Sequence, residues 1–168
     1  NNKRKKLEKN ILNEINFKKI SKENKNVIIY YNNAIHEGLI GIIASRLKDY
    51  FNKPSIVLTN SNKILKASAR STKDYNIGKI IKTLIDKNII VKGGGHNMAA
   101  GFSIKKENLK LLDDFIQNDY LRNNKNFNPI FNYDSELLGS AINKNLYNEI
   151  VKLSPFGIGN DLPTFLIK

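Results

Sequence analysis

The chain has 168 residues, of which 40% are hydrophobic, and this is enough for one domain with a buried core plus part of a second. It contains no cysteine, which excludes disulfide bonds, thiolate chemistry and zinc–thiolate sites. No apolar run approaches the roughly 20 residues of a membrane helix, and no signal peptide opens the sequence. We therefore expect a cytoplasmic protein with no membrane contact.

The formal net charge of +13 suggests a polyanionic partner, because lysine and arginine neutralise phosphates and release counterions. The 28 basic residues are 24 Lys and 4 Arg, and the chain also has 26 Asn. Such richness in Lys and Asn is also typical of AT-rich genomes, so charge alone does not establish nucleic-acid binding. Two of the four arginines, Arg46 and Arg70, lie in the motifs described below. Arginine holds phosphate through two hydrogen bonds, which lysine does poorly.

The first predicted element is a helix over residues 3–20, where Leu7, Ile11, Leu12 and Ile15 fall at helical spacing. No capping residue precedes this helix, so we expect the chain to be part of a longer protein. A polar turn follows the helix and leads into the first apolar segment with strand character.

Strands and helices then alternate over residues 27–118, which indicates a layered α/β domain. Gly38 and Gly41 lie in the first turns of a predicted helix, where glycine lowers helix stability. Their presence is explained if another part of the chain packs closely against that end. The predicted strands are 27–31, 55–59, 63–71, 89–96 (running into a glycine loop) and 99–104, and the predicted helices are 37–51, 76–87 and 106–118.

A polar stretch over residues 119–129 ends in proline and marks the expected domain boundary. After it, the pattern predicts a strand at 130–138, a helix at 143–153 and a final strand at 164–168. These elements are too few for an independent domain, so we expect an incomplete one.

The strongest local signal is the run Gly93, Gly94, Gly95 and His96. Consecutive glycines cost backbone entropy, and they allow backbone N–H groups to approach a ligand such as phosphate. The small residues at 99–101 would let a neighbouring element lie close to such a site. His96 could then donate a hydrogen bond to phosphate or approach the reacting group, and it is our candidate catalytic residue. The alternative is a flexible turn whose histidine caps a neighbouring element.

A second candidate site consists of Ser68, Arg70 and Ser71. On a strand, residues 68 and 70 point to the same face, so a hydroxyl and a guanidinium would lie side by side as a phosphate clamp. Ser71 could add a second hydroxyl if the chain turns there. The alternative is a solvated strand edge without a ligand.

His36 and Arg46 are weaker candidates for contacts with a ligand. His36 follows the first strand at its carboxyl end, where α/β folds place ligands, but a histidine there can also cap the start of a helix. Arg46 lies in the middle of a predicted helix and could instead form a surface ion pair with Asp49.

Several catalytic patterns are missing from the sequence. Two histidines and scattered acids do not supply the ligands that a two-metal phosphoesterase site needs, so we expect no metal site in this chain. The phosphate-binding loop GxxxxGK[ST] does not occur, and neither does the GxSxG pattern of serine hydrolases.

Three sequence blocks in this order resemble the DHH-associated domain of RecJ-type exonucleases. They are HEGLIGIIASRL (36–47), ASARS (67–71) and GGGHNMAAGFSI (93–104). The later block LSPFGIGNDLPTF (153–165) resembles the start of the OB-fold domain that follows in RecJ, where the pattern is PFGxGNxxPxF. The glycine motif alone would indicate only the wider DHH superfamily, and the last block favours RecJ.

The resemblance implies a mixed α/β sheet with flanking helices that binds single-stranded DNA, while Mn²⁺ or Mg²⁺ bind to a separate DHH domain. It implies 5′-to-3′ exonuclease activity in DNA repair and recombination, with a single-strand-binding protein or a helicase as partners. The implied division is a linker helix at 1–26, the DHH-associated domain at 27–122 and the start of the OB fold at 123–168. The residues implied to contact DNA or phosphate are His36, Arg46, Ser68, Arg70, Ser71, Gly93, Gly94, Gly95 and His96.

Two alternatives remain open at this point. The chain could belong to a DHH-superfamily phosphodiesterase that acts on short oligonucleotides or cyclic dinucleotides. It could also be a non-catalytic nucleic-acid-binding module, such as an appended domain of a tRNA-acting protein.

Overall fold

The computed structural model describes residues 2–123, 132–157 and 159–168. The chain divides into two compact units, residues 1–126 and 127–168. Among the described residues, every helix is too short or too polar to cross a membrane.

The first unit is built on a five-stranded sheet. Its strands are β1 (Ile28–Tyr31), β2 (Ser55–Ser61), β3 (Ile64–Arg70), β4 (Lys92–His96) and β5 (Ala99–Ile104). Their order in the sheet is β1-β2-β3-β5-β4. β1 runs parallel to β2, and the remaining neighbours are antiparallel. The mixed α/β sheet with flanking helices that was expected from the resemblance is therefore confirmed.

Three helices cover one face of this sheet, namely α1 (Asn2–Glu14), α2 (Phe17–Lys22) and α3 (Ile40–Phe51). The single helix predicted over residues 3–20 is wrong, because the chain breaks between α1 and α2. Ile15 is buried at the break, and the side chain of Asn16 accepts a hydrogen bond from the Lys19 amide and caps α2. Apolar periodicity continues across the break and so does not reveal it.

The opposite face of the sheet is covered by α4 (Ile77–Asp86) and α5 (Leu109–Asn123). Alternate residues of each strand separate the two faces, as strand geometry requires. The cluster beneath α4 and α5 contains Ile56, Leu58, Leu65, Ala67, Ala69, Ala100, Phe102, Ile104, Ile77, Ile81, Leu84, Leu112 and Ile116.

The three glycines do not form the predicted loop. Lys92 to His96 are an edge strand, β4, which pairs antiparallel with β5 along its whole length. The glycines serve this pairing, because a Cβ on Gly93 would lie 2.6 Å from the Phe102 Cβ and one on Gly95 would lie 2.4 Å from the Ala100 Cβ. Such distances leave no room for a side chain at either position.

In its described residues, the second unit has two short parallel strands and one α-helix. These are β6 (Ser135–Leu137), α6 (Lys144–Val151) and β7 (Phe165–Ile167). The helix predicted at 143–153 is present as α6, and the side chain of Asn143 caps its first turn. The strand predicted at 130–138 extends partly outside the described residues. Large apolar side chains of this unit, including Leu138 and Leu162, are more than half exposed.

Candidate nucleic-acid interface

Arg70 of β3 and His96 of β4 lie in the same row of the sheet, on either side of Ala99. Directly paired residues point to the same face, so both side chains leave the sheet on one side, with their Cα atoms about 10 Å apart. This is the face that carries α3, because the neighbouring residue Ser68 pairs with Val57, which packs against α3. The sheet therefore brings the two strongest sequence motifs to one surface.

Two further rows complete this surface. Ser68 pairs with Gly101, and Gly101 pairs with Gly94, which gives a row with almost no side chains. In the next row, about 7 Å further along the strands, Lys66 and Lys92 lie on either side of Ser103. These rows form a strip beside α3 with cations at both ends, an arrangement suited to an extended polyanion.

The Arg70 guanidinium is held in place by its own strand and by α3. Its Nη1 donates to the Ser68 hydroxyl at 3.2 Å and to the Ala69 carbonyl at 2.9 Å. A Cβ on Gly41 of α3 would lie 3.2 Å from both Arg70 Nη2 and Ser68 Oγ. The close packing that was expected is therefore present at Gly41, and it involves the candidate site itself. A Cβ on Gly38, in the turn before α3, would instead meet the side chain of His36.

An open groove of about 670 Å³ lies beside this arginine. Its lining includes Arg4, Arg46 and Arg70, which are three of the four arginines in the chain, together with Ser45 and Ser68. Arg46 donates from Nε to Glu8 at 2.7 Å, whereas the alternative ion pair with Asp49 is not formed. Arg70 forms no ion pair within the described part of the chain. Its charge is thus available to a ligand.

One acidic residue, Glu37, lines this groove. It pairs with Lys66 at 2.6 Å, and that hydrogen bond is the main reason why the pKa of Glu37 lies below its ordinary value. Glu37 also lines a second open cavity of about 490 Å³, where Lys66, Lys92 and Gly94 contribute to the wall. The two cavities are thus adjacent parts of one surface.

The glycines of β4 differ in their surroundings. Gly93 and Gly95 are required by packing, as described above, but a Cβ on Gly94 would meet nothing within 4 Å. Gly94 faces the open cavity, and Gly101 beside it has only the Ala67 carbonyl nearby, at 3.8 Å. Packing in this structure therefore does not explain glycine at 94, and a ligand that lies flat on the strip would.

The two histidines are both exposed and do not line either cavity. His36 accepts a hydrogen bond at Nδ1 from the Gly38 amide and caps the short turn before α3, which agrees with the capping alternative. His96 shares the row of Arg70 at the sheet edge, and its imidazole forms no hydrogen bond with the described residues. Contact of either histidine with DNA stays a prediction.

Ser71 lies apart from the groove. Its hydroxyl is buried and donates to the Tyr75 carbonyl at 2.6 Å, so this bond would have to break before Ser71 could bind phosphate. Tyr75 donates in turn from its own hydroxyl to Asp119 at 3.2 Å, and burial raises the pKa of Tyr75. The geometry supports a role for Ser71 in fixing the turn after β3.

Sequence reasoning missed Arg4, which lines the groove, and Lys92, which lines the second cavity. Arg4 lies in α1 and donates from Nη2 to the Gly38 carbonyl at 3.3 Å. The dense basic start of the sequence was the available signal, but helical periodicity alone does not show which face of α1 meets α3.

The residues present do not fit a divalent metal centre. No group of three His, Asp or Glu side chains that could hold a metal gathers among residues 2–123, 132–157 and 159–168. The cations of the groove instead suit phosphate oxygens.

Residues 24–120 match the family model of the DHHA1 domain. The chain belongs to the DHHA1 family. It is 30% identical over 149 residues to the single-stranded-DNA-specific exonuclease RecJ of Haemophilus influenzae, which covers 82% of the chain. It is 33% identical over 135 residues to RecJ of Bacillus subtilis, which covers 78% of the chain. The predicted similarity of this DHHA1 chain to RecJ-type exonucleases is thereby confirmed.

The chain spans 25% of the Haemophilus protein and 17% of the Bacillus protein. Among solved structures, RecJ from Thermus thermophilus in complex with Mn²⁺ matches 98% of the chain and 24% of its own length, with a TM-score of 0.76 and 21% identity. The complex of that RecJ with Mg²⁺ matches 97% with a TM-score of 0.72. These matches show that the DHHA1 chain shares its fold with part of the Thermus RecJ.

Proposed function

We propose that this chain is the strand-binding part of a metal-dependent exonuclease that hydrolyses single-stranded DNA from 5′ to 3′. The named relatives are single-stranded-DNA-specific exonucleases, and the chain covers a quarter of their length or less. In this proposal Mn²⁺ or Mg²⁺ bind to a separate DHH domain and supply the activated water. The residues of this chain bind and orient the strand.

The observation that carries the proposal is the fixed position of Arg70, whose charge is not paired with an acid among the described residues. Its Nη1 is engaged with Ser68 and the Ala69 carbonyl, so the other guanidinium N–H groups stay available to a phosphate. A hydrogen bond to a charged group contributes about 1.5–3 kcal/mol. Because α3 and the strand hold the group in place beforehand, little side-chain entropy is lost on binding.

The rest of the strip supports the same strand. Gly94 and Gly101 leave space for the sugar and base to lie on the sheet. Lys92 faces the next phosphate as a point charge, while Lys66 in the same row stays paired with Glu37. His96, which lies across β5 from Arg70, would contact the phosphate nearest the reacting bond. These contacts offset phosphate charge and hold the scissile region for attack.

The proposal extends to the whole protein. Residues 1–26 would end a linker helix, residues 27–122 would form the DHHA1 domain, and residues 123–168 would begin an OB fold that binds the strand further along. A single-strand-binding protein or a helicase would be a partner in DNA repair and recombination. The proposed location is the cytoplasm.

The test compares three substrates with the 168-residue chain, namely a long oligothymidylate, a dinucleotide and a DNA duplex. Fluorescence anisotropy should show salt-dependent binding of the long single strand and weaker binding of the dinucleotide. The duplex should not bind more tightly than the single strand. Incubation with Mn²⁺ should leave all three intact. Rapid degradation by the chain alone would contradict the division of labour, and tighter binding of the dinucleotide would favour a phosphodiesterase of short oligonucleotides.

A further inference from the structure

The first helix of the chain carries a dense row of cations beside the groove. Lys5 and Lys9 are both exposed and lie one turn apart on the same face of α1, about 6 Å apart along its axis. Ile11 and Leu12 of the same helix pack against the cluster that includes α3. The apolar side of α1 thus packs against the cluster that includes α3, and the lysines lie beside the contact between the two helices.

A furrow of about 310 Å³ runs along this line. Lys5, Lys9 and Arg46 contribute three positive charges to its lining, and Glu8 contributes one negative charge. The Glu8 carboxylate is already engaged by Arg46 Nε at 2.7 Å, so it does not neutralise the two lysines. The furrow therefore keeps an excess of positive charge.

Arg46 connects this furrow with the groove of Arg70. Its side chain is 57% exposed and lines both cavities, while Arg4, one residue before Lys5, lines the groove. Cations thus follow one another from β3 across α3 to α1. Among the residues that the structure describes, one carboxylate lines each cavity, Glu37 in the groove and Glu8 in the furrow. Each is paired with a basic side chain.

We propose that the furrow between α1 and α3 is a second binding site for the DNA backbone, where Lys5 and Lys9 hold phosphates beyond those at Arg70. This inference rests on the proposed function, since it extends the path of the same strand. Lysine binds phosphate as a point charge, so the contact is independent of base sequence and weakens as salt rises. The site serves to retain a long strand while its end is held in the groove.

The test is the salt dependence of binding by the 168-residue chain and by a variant with Lys5→Gln and Lys9→Gln. Glutamine keeps a similar helix propensity, so α1 should persist. The matched control carries Lys79→Gln and Lys82→Gln, two exposed lysines on α4 at the opposite face of the sheet. All three proteins are titrated with a trinucleotide and with an oligothymidylate of about 16 nucleotides.

We expect the slope of log affinity against log salt for the long strand to fall by about 1.4 in the α1 variant and to stay unchanged in the control. Binding of the trinucleotide should not change in either variant. Equal slopes in the α1 variant and the control would overturn the second site while leaving the groove intact. Loss of trinucleotide binding in the α1 variant would also overturn it, because the lysines would then act through the groove. Failure of the unaltered chain to bind either strand would instead overturn the proposed function.

Discussion

A Cβ atom on Gly78, in the first turn of α4, would lie 2.9 Å from both the carbonyl carbon and the carbonyl oxygen of His96. The same turn binds the next residue, since the Ile77 amide donates to the Asn97 carbonyl at 3.1 Å and Asn76 Nδ2 donates to Asn97 Oδ1 at 2.8 Å. The end of β4 that carries His96 is therefore positioned by the start of α4.

This contact leads to a first prediction, for Gly78→Ala. In an ordinary helix this change would add up to about 1 kcal/mol of stability. Here the methyl group would push against backbone, so we expect a loss of about 1–3 kcal/mol in urea unfolding. Binding of single-stranded DNA should weaken as His96 moves. A rise in the free energy of unfolding would contradict the described packing.

Substitutions in the glycine run should separate packing from function. Gly95→Ala should lower the free energy of unfolding by about 1–3 kcal/mol, because its Cβ would overlap Ala100. Gly94→Ala should change that free energy by less than about 0.5 kcal/mol, because its Cβ meets nothing. Anisotropy should nevertheless show weaker DNA binding for Gly94→Ala. Unchanged binding in that folded variant would mean that the strand does not lie on the strip.

At the groove, the geometry of the Arg70 guanidinium should matter more for DNA affinity than its positive charge. Arg70→Ala should weaken single-strand binding about tenfold or more, because a hydrogen-bonded charged contact of about 1.5–3 kcal/mol is lost. Arg70→Lys should recover little of this loss, because lysine lacks the planar fork held by Ser68. Lys66→Ala is the control for charge, since Lys66 is partly neutralised by Glu37. In the whole exonuclease that the proposed function implies, the same order should appear in the rates of DNA degradation. Equal effects of both alanine variants would indicate a purely electrostatic site.

Removal of the acid in the groove should tighten binding. Glu37→Gln eliminates a negative charge that faces both cavities and releases Lys66 for phosphate. The pKa of Glu37 is lowered, so in the unaltered chain its charge and its ion pair persist at neutral pH and are lost only as pH falls below the ordinary value of 4.5. The gain in affinity should therefore be constant between pH 8 and about pH 6, at fixed salt. Weaker binding in the variant would show that Glu37 supports the site.

Much of the core was predictable from the sequence. Apolar residues at 27–31, 55–59 and 99–104 alternate with amphipathic helices, and buried strands follow from that pattern. Gly41 was recognisable as a point of close packing, and the structure places Arg70 and Ser68 against it. Local sequence patterns sufficed to predict these features, because each feature depends on a few residues that are close together in the sequence.

Other features depend on contacts between distant segments. The break at Asn16 is invisible to apolar periodicity, and the strand character of Gly93 to Gly95 depends on Ala100 and Phe102 beside it. Ser71 follows Arg70 directly, yet its hydroxyl is committed to Tyr75. Arg4 reaches the groove only because α1 docks on α3. Tertiary packing decides these positions, and a single sequence does not display it.

Under the proposed function, a single strand of DNA lies across β3, β5 and β4 on the face that carries α3. Titration of the ¹⁵N-labelled chain with oligothymidylate, with backbone amide shifts followed by NMR, locates the bound strand on the sheet. We expect the largest shift changes at Ser68, Arg70, Gly94, His96 and Gly101. Changes concentrated instead at Lys82 of α4 and Lys110 of α5 would place the strand on the opposite face and contradict the proposed function.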